Sequence, residues 1–304
     1  MATFDTPEAI TAVIELVMAD VRVVATDRTD TTVEVRPSDG SRRADVQAAD
    51  QIRVDYSAHR LLVKATGRWR SWSPFGYGGS VDVEIGLPLG SGVNGTTAGA
   101  FRSVGALGDC EIKTSLGEIQ IERAAAVTLA TSAGDITLEH ATGDVHLTTG
   151  SGVIRVGEIV GAAVIKNSNG ATFVSKVGGE LQVKAANGDI AIDDVRGTVA
   201  AKTANGDIRV GAPASGSVVA ETALGAVEIA IPEGTAAWLD LHTQYGQLRN
   251  DLATSGPPGP DDDRLEVRAR TSYGDITVRR SYRVGTTPPR HAETVASDQR
   301  ERER

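Results

Sequence analysis

The chain has 304 residues, a net charge of −9, 34 glycines and a single cysteine, and only 4% of it is aromatic. An acidic chain without a concentrated basic face is a poor match for nucleic acid or for an anionic membrane surface, and one cysteine excludes an intramolecular disulfide. The apolar 40% is supplied mainly by Val, Ile, Leu and Ala, a mix that suits a narrow aliphatic core rather than one built on rings.

At the amino terminus the apolar residues are interrupted by Glu15 and Asp20, with no basic segment ahead of them and no small-residue cleavage site behind. No signal peptide is read there, and no apolar run approaches the length of a transmembrane helix. A cytoplasmic location is expected, compatible with peripheral association with the envelope.

Residues 9–35, 51–65 and 80–87 alternate apolar and polar side chains, as half-buried strands do. Together they predict an N-terminal region, 9–95, of wider and irregular coils that begins and caps a stack. Within it residues 67–79, GRWRSWSPFGYGG, gather Trp69, Trp72, Phe75 and Tyr77, four of the chain's twelve aromatic residues, beside Arg68 and Arg70. Concentrated rings anchor interfaces, so this loop is a candidate contact surface. The plainer reading is a plug over the side or end of the stack.

From 96 to 280 the sequence repeats. Gly117, Gly134, Gly152, Gly170, Gly188, Gly206, Gly225, Gly246 and Gly274 follow one another at steps of 17, 18, 18, 18, 18, 19, 21 and 28 residues. Two and four residues after each glycine the columns are aliphatic, as in Ile119 and Ile121 or Ile190 and Ile192. Seven and five residues before it they are aliphatic again, as in Val127 and Leu129 or Leu181 and Val183. Each unit therefore reads as strand, glycine turn, strand, connecting turn.

Equivalent inward positions are satisfied when successive units stack in parallel, about 4.8 Å apart. The expected fold is all-β, a single-stranded parallel β-solenoid with about 18 residues per coil and nine coils stacked in chain order. Three residues before the glycine stands a corner column of Thr114, Thr131, Thr149, Asn167, Ala185, Thr203, Thr222, Thr243 and Thr271. Its hydroxyls are expected to bond a turn amide. The insertion at 251–264 reads as a solvated loop, and 281–304, rich in Pro, Thr and charge, as a disordered tail.

Three constellations invite a chemical reading. Glu118, Asp135, Asp189, Asp207 and Asp275 form an acidic column after the glycine. Each coil offers one glycine and one acid, too little for a calcium-binding repeat, so the acids are read as solvating turns. Outward-facing Lys166, Lys184 and Lys202, with Lys113 and Arg270 in the same column, form a lysine ladder that can hold an anionic group or simply keep the sheet soluble. Cys110 falls in a core column, and the five histidines lack metal-ligand spacing, so no catalytic residue, metal site or cofactor is read.

The phrases KTSLGEIQI, TTGSGVIRV, KAANGDIAI, KTANGDIRV and TSYGDITV, with IKNSNG between them, resemble the bacterial putative-adhesin family of domains of unknown function, also called toastrack-like. The resemblance spans about residues 9–280. It implies a right-handed β-solenoid, no enzyme activity, and a link to the cell envelope and its stress systems.

The leading functional expectation is a non-enzymatic, adhesin-like scaffold that presents a rigid surface to an unknown protein or surface partner, with Trp69, Trp72, Phe75, Tyr77, Lys166, Lys184 and Lys202 as candidate contacts. The alternative is a carbohydrate-binding or carbohydrate-active β-helix, motivated by the acidic column. Incomplete capping of a stack would also favour self-association through its ends.

Overall fold

The computed structural model describes residues 1–66, 79–213, 215–252 and 264–281. Among these residues the strands form two long sheets, one of 14 strands and one of 13. Each repeat contributes one strand to each sheet. Cys110–Leu116 joins the 13-stranded sheet and, after the turn at Gly117, Ile119–Ala124 joins the 14-stranded sheet.

Neighbouring coils are parallel and in register by column. Val127 lies on Val145 and Val145 on Ala163 in one sheet, while Ile136 lies on Ile154 and Ile154 on Thr172 in the other. This register follows from the alternation, because a slip of one residue would turn every aliphatic side chain out to water. The inward columns Ile112, Leu129, Leu147 and Ile165 and Ile121, Leu138, Val156 and Val174 are exposed by 3% or less. Each buried side chain of this size contributes about 1.5–3 kcal/mol, so the core draws its strength from many equal rungs.

The corners are held by the threonine column, with a different partner from the one expected. Thr114, Thr149 and Thr271 donate their hydroxyls to the carbonyl oxygens of Gly99, Gly134 and Gly225 at 2.9, 3.1 and 3.0 Å. The turn amide is already engaged. Gly134 N–H, for example, donates to Ser151 O at 2.8 Å and Gly152 N–H to Asn169 O at 2.9 Å.

Both ends depart from chain order. Thr11–Glu15 and Ala19–Thr26 form a coil that stacks on Gly92–Thr97 and Phe101–Ala106 on one side. On its other side lie Arg60–Ala65 and Val81–Pro88, so a later segment of the chain occupies the more terminal position. Beyond these, Asp30–Pro37, Ala2–Asp5 and Ile52–Ser57 add antiparallel strands. The helix Arg43–Asp50 buries Asp45 and Ala48 against this end. Asp45 accepts hydrogen bonds from Ser80 N–H at 3.0 Å and Asp39 N–H at 3.2 Å, which pins two connecting segments. The cap is thus antiparallel and partly helical, where the sequence suggested only irregular coils.

At the other end Arg264–Tyr273 and Ile276–Ser281 stack directly on Gly216–Leu224 and Val227–Pro232. Ala236–Tyr245 and Leu248–Asn250 come last. The final three marker glycines therefore run Gly225, Gly274, Gly246 in space, and strict chain-order stacking is corrected here. The reason is chemical. Arg264–Tyr273 and Ile276–Ser281 bring Val267, Ala269, Ile276 and Val278 to the core columns, whereas the earlier unit brings exposed Asn250 to one of them. A buried amide with no partner costs on the order of 1–3 kcal/mol, so the unit with the polar rung takes the open end.

Candidate interaction surface

Trp69, Trp72, Phe75 and Tyr77 lie outside the described residues. The lysine ladder is within them. Lys166 lies on Lys184 and Lys184 on Lys202 in the outer face of the 13-stranded sheet. Parallel strands hold such residues about 4.8 Å apart, close enough for stacked ammonium groups to repel. Lys202 is relieved by Glu221 at 2.8 Å. Lys166 and Lys184 make no ion pair among the described residues.

Beside this ladder runs a second one, made of amides. Asn205 Nδ2 donates to Asn187 Oδ1 at 2.7 Å, Asn187 Nδ2 to Asn169 Oδ1 at 2.9 Å, and Asn169 Nδ2 to Gly150 O at 3.2 Å. The asparagines before the marker glycine therefore stitch successive turns together. The acidic column has an equally local task. Asp135, Asp189, Asp207 and Asp275 accept the backbone N–H groups of Val153, Asp207, Ala226 and Gln247 at 2.8–2.9 Å, one rung along the stack in each case.

The 14-stranded sheet carries charges on its outer face as well. Lys176 donates to Glu158 at 2.6 Å, with His140 on the other side of the same carboxylate at 3.7 Å. The hydrogen bond and the positive charge of Lys176 hold the Glu158 carboxyl below the usual carboxylate range. One rung row away, the guanidinium of Arg155 sits 5.8 Å from the ring centre of exposed Phe173.

Near the cap, this face forms a groove of about 510 Å³ lined by Asp20, Arg22, Glu34, Arg36, Asp82, Glu84 and Arg102, among others. Its floor is one cross-strand row, in which Glu34 lies on Glu84, Glu84 on Arg22, and Arg22 on Arg102. Glu34 is held by Arg36 at 2.7 Å, Arg102 pairs with Glu118, and Asp82 accepts the Ser38 hydroxyl at 2.7 Å. Arg22 and Glu84 enter no ion pair among the described residues. Like charges set directly opposite each other, as Glu34 with Glu84 and Arg22 with Arg102, destabilise a sheet unless something else neutralises them.

Sequence reasoning did not find this groove. The outward alternation of Arg22, Glu34 and Glu84 is visible in the sequence, but their adjacency depends on the antiparallel cap and on the exchanged order of the first coils.

No three His, Cys, Asp or Glu side chains converge to a metal-binding arrangement among the described residues, and no helix there is long and apolar enough to cross a membrane. Cys110 is buried in the core, and desolvation pushes its thiol up to about 12. A thiol-specific maleimide at mildly alkaline pH is expected to leave the folded protein unlabelled and to modify one site after denaturation. Rapid labelling of the native protein would show that the coil around Cys110 opens.

Two parallel sheets joined at glycine corners, with a capped amino-terminal end, define a β-solenoid-like repeat protein. The chain belongs to the Toastrack DUF4097 family, whose model matches residues 11–279. Similar solved structures include a "putative adhesin" from Bacteroides fragilis, with 12% identity over 92% of this chain and 95% of that chain and a TM-score of 0.36. Another "putative adhesin", from Parabacteroides merdae, has 10% identity over 92% and 95% and a TM-score of 0.38. A "putative lipid binding protein" from Parabacteroides distasonis has 10% identity over 92% and 96% and a TM-score of 0.36. No curated protein matches the chain.

Proposed function

We propose that this chain is a non-enzymatic scaffold that engages a protein partner through the outer face of its 14-stranded sheet, at the charged groove. The observation that carries this reading is the charged row Glu34–Glu84–Arg22–Arg102 across the groove floor, in which the two central groups, Glu84 and Arg22, enter no ion pair among the described residues. Glu34 and Arg102 are already held by Arg36 and Glu118, so a partner that brings a cation to Glu84 and a carboxylate to Arg22 completes the pairing along the row. Such complementarity acts chiefly on specificity and association rate. The lysine ladder on the opposite face is an auxiliary surface of the same kind.

The register steps of 17 to 19 residues between neighbouring strands support about 18 residues per coil. A right-handed path is the handedness proposed for it. The acidic column argues less for a carbohydrate-active β-helix, because Asp189 and Asp207 each commit a carboxylate oxygen to a backbone amide.

Affinity capture with the full chain and with an Arg22→Glu/Arg102→Glu variant, at low and high salt, tests the reading. Loss of specific partners in the variant, and salt-sensitive recovery with the unaltered chain, are expected. Identical partners from both proteins would refute the groove as the contact. A screen of neutral and acidic polysaccharides is expected to show no cleavage, and turnover that disappears in Asp189→Asn/Asp207→Asn would replace the scaffold reading with an enzymatic one.

A further inference from the structure

The two ends of the stack are finished in opposite ways. At the amino-terminal end the outermost strands of the two sheets lean together, with the rings of Phe4 and Tyr56 in contact at 5.4 Å between centres. At the carboxy-terminal end Ala236–Tyr245 and Leu248–Asn250 are the last strands of their sheets, and no described strand lies beyond either. Ala237, Leu239 and Leu241 continue inward columns whose preceding rungs, Leu265, Val267 and Ala269, are exposed by 2% or less. Those three residues are only partly buried, and Trp238, Tyr245 and Leu248 are exposed by 58%, 58% and 52%.

This end presents a ten-residue edge strand together with a cross-section of the core. Edges of that length are normally shortened, interrupted by proline or covered. In sequence, the segments that adjoin this end lack the pattern of a further strand. Residues 253–263 read ATSGPPGPDDD, and 282–304 hold only Tyr282, Val284 and Val295 as larger apolar residues, with two prolines. Proline lacks the N–H that a ladder needs, and neither segment supplies alternating apolar residues to extend the core.

A second copy of the same end supplies both. Under two-fold symmetry the two edge strands meet antiparallel, and the register is limited by charge. Centring it on Asp240 would set two carboxylates face to face. Centring it on Leu241 sets Leu241 on the partner's Leu241, Leu239 on the partner's Thr243, and Asp240 on the partner's His242. Inward residues then stay inward, and each Asp240 carboxylate, which Arg270 of its own copy holds at 3.6 Å, faces an imidazole rather than a second carboxylate.

We propose that the protein dimerises through its carboxy-terminal coil, end to end, by antiparallel pairing of Ala236–Tyr245 about Leu241. The strand is roughly 33 Å long and the sheets lie about 10 Å apart, so each copy buries on the order of several hundred Å². That is the small end of specific interfaces and implies a concentration-dependent dimer rather than a permanent one.

Sedimentation velocity of the full chain over a wide concentration range provides the test. A monomer–dimer equilibrium is expected, with amide exchange of Ala236–Tyr245 slowing as dimer accumulates. Leu241→Asp is expected to weaken dimerisation at least about tenfold, as loss of a central interface contact does. Trp238→Arg, at an already exposed position, is the companion variant that leaves the core untouched and is expected to weaken it as well. A protein that remains monomeric throughout, or a dimer that both variants leave unchanged, overturns the proposal.

Discussion

Gly188→Ala is expected to destabilise the middle of the stack by about 4 kcal/mol or more, well beyond the ordinary effect of adding one methyl group. Gly188 has φ of +142°, outside the range that side chains with a Cβ adopt readily. A Cβ built there would lie 2.1 Å from Gly170 O and 2.5 Å from Gly170 C. These are backbone atoms of the neighbouring coil, so no rotamer change relieves the clash. Moving them would break the ladder that joins Gly170 N–H to Asn187 O at 2.8 Å. Backbone strain and a steric conflict act together here, and each alone is costly.

The measurement is equilibrium denaturation combined with amide exchange, because a stack of near-identical units can open locally without unfolding as a whole. Loss of protection centred on 163–210 is expected, with less effect towards the amino-terminal cap. Gly40→Ala is the matched control. A Cβ at Gly40 has no neighbour within 4 Å, so a change within about 1 kcal/mol is expected there. Equal effects at the two positions would show that the corner does not need glycine.

The same contrast explains how much of the molecule could be read from the sequence. Inward columns such as Val127–Val145–Ala163 and Ile136–Ile154 repeat at fixed spacing, and parallel stacking is the arrangement that keeps them all dry. That much follows from local alternation. Which coil sits beside which at the two ends does not, because it is decided by a comparison between units far apart in the chain. Asn250 in a column otherwise filled by Val, Ile and Leu was a visible signal that its unit belongs outermost. No comparable mark identified Arg60–Ala65 and Val81–Pro88 as lying outside Thr11–Glu15 and Ala19–Thr26.

The short helix Arg43–Asp50 escaped the reading for a related reason. With only eight residues, it is stabilised by the docking of Ala48 and the capping of loop amides by Asp45 rather than by a long amphipathic period. The groove followed it out of reach. Arg22 and Glu84 are 62 positions apart in sequence and meet only through the exchanged order of the first coils. The lysine ladder, by contrast, needed only the repeat itself, and Lys166, Lys184 and Lys202 stand on one another as the columns require.

Asn167→Ala should lower stability by about 3 kcal/mol, because it strips the donor from two corner carbonyls at once and each orphaned buried group costs about 1–3 kcal/mol. At the corresponding corners a threonine serves one glycine carbonyl fifteen residues earlier, as Thr149 serves Gly134. By that rule Gly170 should be served from position 185, but alanine stands there. Asn167 covers the gap. Its Nδ2 donates to Gly152 O at 3.0 Å, the bond its own corner calls for, and to Gly170 O at 2.9 Å. The exchange is imperfect, since Asn167 is 2% exposed and its Oδ1 is buried without a partner among the described residues. A conservative replacement separates the two bonds. Asn167→Thr should fall between the unaltered protein and Asn167→Ala, because a hydroxyl reaches Gly152 and leaves Gly170 bare. Adding Ala185→Thr to Asn167→Thr should restore most of the difference, with a coupling energy of about 1 kcal/mol or more between the two positions. Denaturation midpoints of the unaltered protein, Asn167→Thr, Ala185→Thr and the double variant decide the matter. Purely additive effects would mean that the two residues do not share the Gly170 carbonyl, and the missing threonine would then have no bearing on the asparagine one coil before it.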